Sequence, residues 1–212
     1  MTSPWSILLL SFAVEGLLFV RPGLSDGPTL QLFGDLAQQS VLLVGAPLLW
    51  SRFLGRARLG ELGLHLRGIR RWPNECLLLA LPLIAVALLL TRMPAMHAAY
   101  PRFEPARSQP WLLVPSTAIF AMYGLSWEFF FRGWILFGLR PRWGVWANLI
   151  QAVPCALLHS GKPNLEWAIA FPVALGLGAL AMRWGTVVPG FLLHTGVALA
   201  INLGCIFWPL AS

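Results

Sequence analysis

Charge is scarce in this chain. Of its 212 residues, 11% are Asp, Glu, Lys or Arg, against about 25% in soluble globular domains. Lysine is nearly missing, since 14 of the 15 basic residues are Arg. The three cysteines, Cys76, Cys155 and Cys205, stand singly within apolar runs. Without a CxxC pair there is no disulfide framework or thiolate metal site to infer, and each reads as a small buried hydrophobe. No HExxH occurs, which excludes a zincin-type helix. No internal repeat or low-complexity tract appears. The net charge of +7 comes from bases that flank apolar runs and form no aromatic-interleaved patch. That distribution follows the positive-inside rule and argues against nucleic acid as a partner.

Apolar sequence fills the space that charge leaves. The chain is 58% hydrophobic, with a mean hydropathy of +0.71. Long apolar runs with so little charge predict an all-α fold, a polytopic transmembrane bundle of about 7–8 helices. At the ~20 residues that a bilayer demands, candidate spans fall at 4–20, 30–50, 75–92, 111–139, 143–159, 165–183 and 186–208. Turn chemistry separates them: RPGLSDGP, RMPAM, RPRWG, SGKPN and RWGT. The first span lacks a basic n-region and contains Glu15, so it reads as a retained helix rather than a cleaved signal peptide.

Segment 52–71 carries six Arg against the single acid Glu61, which assigns it to the cytoplasm. Its leucines, Leu59, Leu62, Leu64 and Leu66, suggest a surface-lying stretch or an ordinary basic loop. The N-terminus is then cytoplasmic, loop 92–107 lies outside, and so does the C-terminus. The expected organisation is one integral membrane domain. Residues 1–110 form N-terminal helices around that basic loop, and residues 111–212 form the core helices.

Polar side chains within the last four spans are few, and an ionisable group in hydrocarbon normally faces a partner or a wet cavity. Glu128 and Arg132, in SWEFFFRG, are spaced i, i+4 and can pair on one helical face. Asn148, Gln151 and His159 follow in the fifth span, and His194 and Asn202 in the seventh. Counting ~1.5 Å per residue from the cytoplasmic ends puts Glu128, His159 and His194 at depths of about 18, 24 and 13 Å. One carboxylate and two imidazoles are therefore expected to meet in one cavity. Such a set suits hydrolysis: the carboxylate takes a proton from water, one imidazole orients that water, and the other stabilises an oxyanion. The same three side chains could instead hold a single divalent metal such as zinc. Glu166 has Lys162 at i−4, the pattern of a surface pair, with a position dipping into the cavity as the alternative.

Three stretches, WEFFFRGW, ALLHSGKP and GALAMRWGTVVPGFLLHTG, occur in an order and spacing similar to the CAAX-protease and bacteriocin-processing family of intramembrane glutamic proteases. The likeness covers about 111–203, and LGELGLHLRG at 59–68 resembles the family's basic stretch before its core. The resemblance implies about eight helices around a cavity and cleavage of membrane-associated or exported peptides, without a cofactor. It implies that Glu128, His159 and His194 are catalytic, with Arg132 supporting. Membrane lipid and a membrane-anchored peptide or protein are the expected partners, in a bacterial inner membrane crossed several times. Trp127 stands where the family keeps its first Glu, and Ala198 where it keeps an Asn after the second His. Asn202, one turn further, is the candidate replacement donor. The other reading is a non-catalytic scaffold or bacteriocin-immunity protein with the same fold.

Overall fold

The computed structural model describes residues 3–18, 28–55, 60–68 and 72–208, and among these every regular element is helical. The longer helices are α1 (Pro4–Leu18), α2 (Pro28–Trp50) and α3 (Trp72–Leu90). Two short ones, α4 (Pro94–Ala99) and α5 (Pro105–Ser108), precede the core. The core comprises α6 (Leu113–Glu128), α7 (Phe137–Trp143), α8 (Trp146–Leu157), α9 (Asn164–Trp184) and α10 (Val188–Phe207). A π-helical stretch, Phe129–Leu136, joins α6 to α7, so a single rod runs from Leu113 to Trp143. All eight residues of the π stretch are buried. A stretch buried all round, Arg132 included, sits at the centre of the bundle, and α1, α2, α8 and α9 pack against it.

The outside of the bundle is apolar too. Trp5, Phe12, Leu78, Val114, Met122 and Val145 are all largely exposed. Among the described residues, three helical segments are long and apolar enough to cross a membrane: Gln31–Phe53, Asn164–Trp184 and Val188–Phe207. Apolar flanks that would be insoluble in water match the hydrocarbon of a bilayer, and the chain is an integral membrane protein. Helices Pro4–Leu18, Asn74–Leu90 and Trp146–Leu157 are apolar but shorter.

The fourth expected span was to stop before the RPRWG turn; instead the helix runs through Pro141 and ends at Trp143. A proline removes one helical hydrogen bond without forbidding the last turn. The stop is Gly144, whose φ of 53° lies in a region that only glycine takes easily. The leucines of 59–68 also differ in part from a surface-lying stretch. Leu62 is 3% exposed, and Thr186 donates its hydroxyl to Gly63 O at 2.9 Å and His65 O at 2.7 Å. Residues 62–65 are thus tucked under the α9–α10 turn, Leu66 stays exposed, and residues 56–59 and 69–71 lie outside the described residues.

Asn148 and Gln151 turn out to be cross-helix ties. Asn148 Nδ2 donates to Leu175 O at 3.0 Å, and Gln151 Nε2 donates to Asn148 Oδ1 at 2.8 Å and Ala174 O at 3.1 Å. Small residues allow such close approach between membrane helices. A Cβ on Gly178 of α9 would collide with Asn148 Oδ1 and lie 2.7 Å from Gln151 Nε2. Gly178→Ala is therefore expected to lower stability by about 1–3 kcal/mol, the usual cost of overpacking. Unfolding in mild detergent checks it, and an unchanged midpoint would show that α8 and α9 do not approach this closely.

Candidate active site

Glu128 ends α6, at the point where the helix widens into its π stretch. Departures of this kind are frequent at functional sites. The Glu128 side chain has no solvent exposure, and that of Arg132 has 2%. Arg132 Nη1 donates to Glu128 Oε1 at 3.2 Å and approaches Cys155 Sγ at 3.5 Å, while Nη2 donates to Ala174 O at 3.4 Å. The expected i, i+4 pair is present, and Arg132 also ties the π stretch to α8 and α9.

His194 meets the same carboxylate oxygen. Its Nδ1 lies 3.1 Å from Glu128 Oε1. The carboxylate accepts, so Nδ1 carries the proton and Nε2 is the nitrogen left for other work. His159 is set up in the same way by the backbone. Its Nδ1 donates to Cys155 O, one helical turn back, at 2.8 Å. Its ring stands edge-on to Trp127, with centroids 5.5 Å apart. A carbonyl can only accept, so the Nε2 of a neutral His159 is an acceptor.

A cavity of about 150 Å³ has Trp127, Arg132, Cys155, His159, Lys162, Glu166 and His194 in its wall. The two histidines, from α8 and α10, therefore meet as expected. Glu128 lines neither this cavity nor a second one of about 90 Å³ on the other side of His194. Glu128 sits behind His194 and reaches the cavity through that ring. Its other oxygen, Oε2, has no hydrogen-bond partner among the described residues. Gly190 packs against it so closely that a Cβ there would lie 3.0 Å away.

Glu166 keeps its sequence partner but faces inward. Its side chain is 14% exposed and pairs with Lys162. The Tyr100 hydroxyl lies 3.0 Å from Oε1 and 2.8 Å from Oε2. Sequence spacing foretold Lys162 beside Glu166, whereas nothing local pointed to Tyr100. It arrives because Arg107 donates to His97 O at 2.9 Å and Cys205 O at 3.3 Å, which fastens the 92–107 loop against the end of α10. Asn202 is not brought to the first cavity. It donates to Ala198 O of its own helix at 2.8 Å and lines the second cavity beside His194 and Lys162.

Among the described residues, no group of three or more His, Cys, Asp or Glu side chains is spaced to hold a metal ion.

The family model described as type II CAAX prenyl endopeptidase Rce1-like matches residues 107–200, which contain Glu128, Arg132, His159, Glu166 and His194. Residues 107–200 are thus similar to the Rce1-like family. No curated protein and no solved structure matches the chain. The Rce1-like region begins just before α6 and ends within α10. Tyr100 and Asn202 lie on either side of it.

Proposed function

We propose that this chain is an intramembrane endopeptidase that cleaves membrane-associated or exported peptide and protein substrates by attack of water. The reading rests on two histidines from separate helices sharing one cavity, each with Nδ1 engaged and Nε2 left over. The Nε2 of His159 accepts a hydrogen from the attacking water and orients it toward a scissile carbonyl. As the carbonyl oxygen gains charge, His194 in its protonated form donates to it through Nε2. Glu128, held by Arg132, supports the positive charge on His194 in surroundings where water cannot. The proton lost by the water goes to a carboxylate and returns to the leaving amine.

A substrate segment held in lipid reaches such a cavity sideways, between helices, so bilayer and peptide are both partners. The remaining apolar helices complete a multi-pass bundle, with segment 52–71 on the cytoplasmic face of a bacterial inner membrane. The surface pair between Glu75 at the start of α3 and Arg183 at the end of α9 is consistent with these two ends sharing that face.

The test is cleavage of a library of lipid-anchored, internally quenched peptides, farnesylated CAAX peptides included, by the protein in liposomes. His159→Ala is expected to lower turnover by about 10²–10⁴. Equal cleavage by wild type and His159→Ala, or none by either, would end the endopeptidase reading and leave the non-catalytic scaffold.

A further inference from the structure

We infer that Glu166, steadied by Tyr100 and Lys162, is the carboxylate that takes the proton from the attacking water. The inference rests on the endopeptidase reading and names the acceptor that reading leaves open.

Two carboxylates lie near the histidines, and they differ in access. Glu128 has no exposure and lines neither cavity. Its Oε1 is occupied by Arg132 and His194, and Gly190 packs against Oε2. Glu128 therefore stands behind His194 rather than in the cavity wall. Glu166 stands in the wall of the cavity that holds both imidazoles.

Its partners leave room for water. An ionised carboxylate offers about four acceptor positions. Tyr100 lies within hydrogen-bond distance of both oxygens, and Lys162 bonds Oε1 alone. Oε2 therefore keeps a lone pair for a water. Lys162 Nζ lies 3.5 Å from the Tyr100 hydroxyl as well, so the three side chains restrain one another and fix the direction of the acceptor.

The step balances without any further reagent. One O–H bond of water breaks, its proton goes to Glu166 Oε2, and the hydroxide oxygen bonds to the scissile carbonyl carbon. The carbonyl π pair moves onto oxygen, opposite His194. When the C–N bond breaks, the proton on Glu166 passes to the leaving nitrogen, and the carboxylate is restored.

In the liposome assay, Glu166→Gln is expected to lower turnover by about 10²–10⁴. Glu166→Asp should retain part of the activity, and Glu166→Ala should regain activity when formate is added. A residue that only pins α9 would show no formate rescue. Cleavage by Glu166→Gln at the wild-type rate, with His159→Ala inactive, would overturn this inference and leave the endopeptidase reading standing. Loss in all three Glu166 variants, unfolding early and unrescued by formate, would overturn it too and assign Glu166 a structural role. Equal behaviour of wild type and His159→Ala, or no cleavage by either, would remove the reading and the inference together.

Discussion

Arg132→Met is expected to destabilise the protein by about 3–5 kcal/mol, because it strands a buried carboxylate. The guanidinium touches Glu128, Cys155 and the Ala174 carbonyl from the fully buried π stretch. Without it, Glu128 keeps only His194 as a hydrogen-bond partner among the described residues. Desolvation makes such pairs asymmetric: removing one partner leaves an uncompensated charge, whereas removing both is often close to neutral. The double variant Glu128→Gln/Arg132→Met should therefore recover much of the loss. Chemical unfolding of the four proteins of this cycle in detergent measures the coupling. If Arg132→Met alone unfolds at the wild-type midpoint, Arg132 does not hold the centre of the bundle.

Glu128→Gln is expected to lower turnover by about 10²–10³, the scale of losing one oxyanion donor, with a smaller loss of stability than Arg132→Met, because the guanidinium keeps the Ala174 carbonyl and gains the amide oxygen as acceptors. Glutamine keeps the shape and can still accept from His194 Nδ1 through its amide oxygen. It removes the negative charge that supports a protonated His194. Because Glu128 acts through His194 and touches no substrate, its loss should appear in kcat with KM little changed. A transition-state-like inhibitor with a tetrahedral anion should weaken by the same factor, whereas a ground-state peptide should not. A purely structural Glu128 would affect both ligands alike or neither. Glu128→Gln cleaving at the wild-type rate would show that His194 works without the carboxylate behind it.

Much of the scaffold was legible in sequence because a membrane imposes a simple rule. With little charge and long apolar runs, backbone groups must be satisfied within helices, and α2, α9 and α10 appear close to their expected bounds. Helix ends were less legible. Pro141 looked like a stop, but the stop depended on the backbone angle at Gly144. The basic stretch before the core was ambiguous for a similar reason. Leu62 could face lipid or protein, and only Thr186, some 120 residues further on, decides which.

For the candidate site, the sequence by itself determined the chemistry available: one Glu–Arg pair at helical spacing, two histidines at compatible depth, and a Lys–Glu pair after SGKP. These are local spacings and depths along straight helices, and both follow from chain geometry alone. Access was decided only by tertiary structure. Whether a carboxylate meets the cavity depends on which neighbours cover it, and those neighbours are distant in the chain. Gly190 and His194 of α10 close over Glu128, and the loop fastened by Arg107 brings Tyr100 to Glu166. Asn202, promising by its position along α10, bonds its own backbone and lines the second cavity instead. Packing between helices thus exchanged the expected places of two carboxylates, Glu128 behind a histidine and Glu166 in the cavity wall.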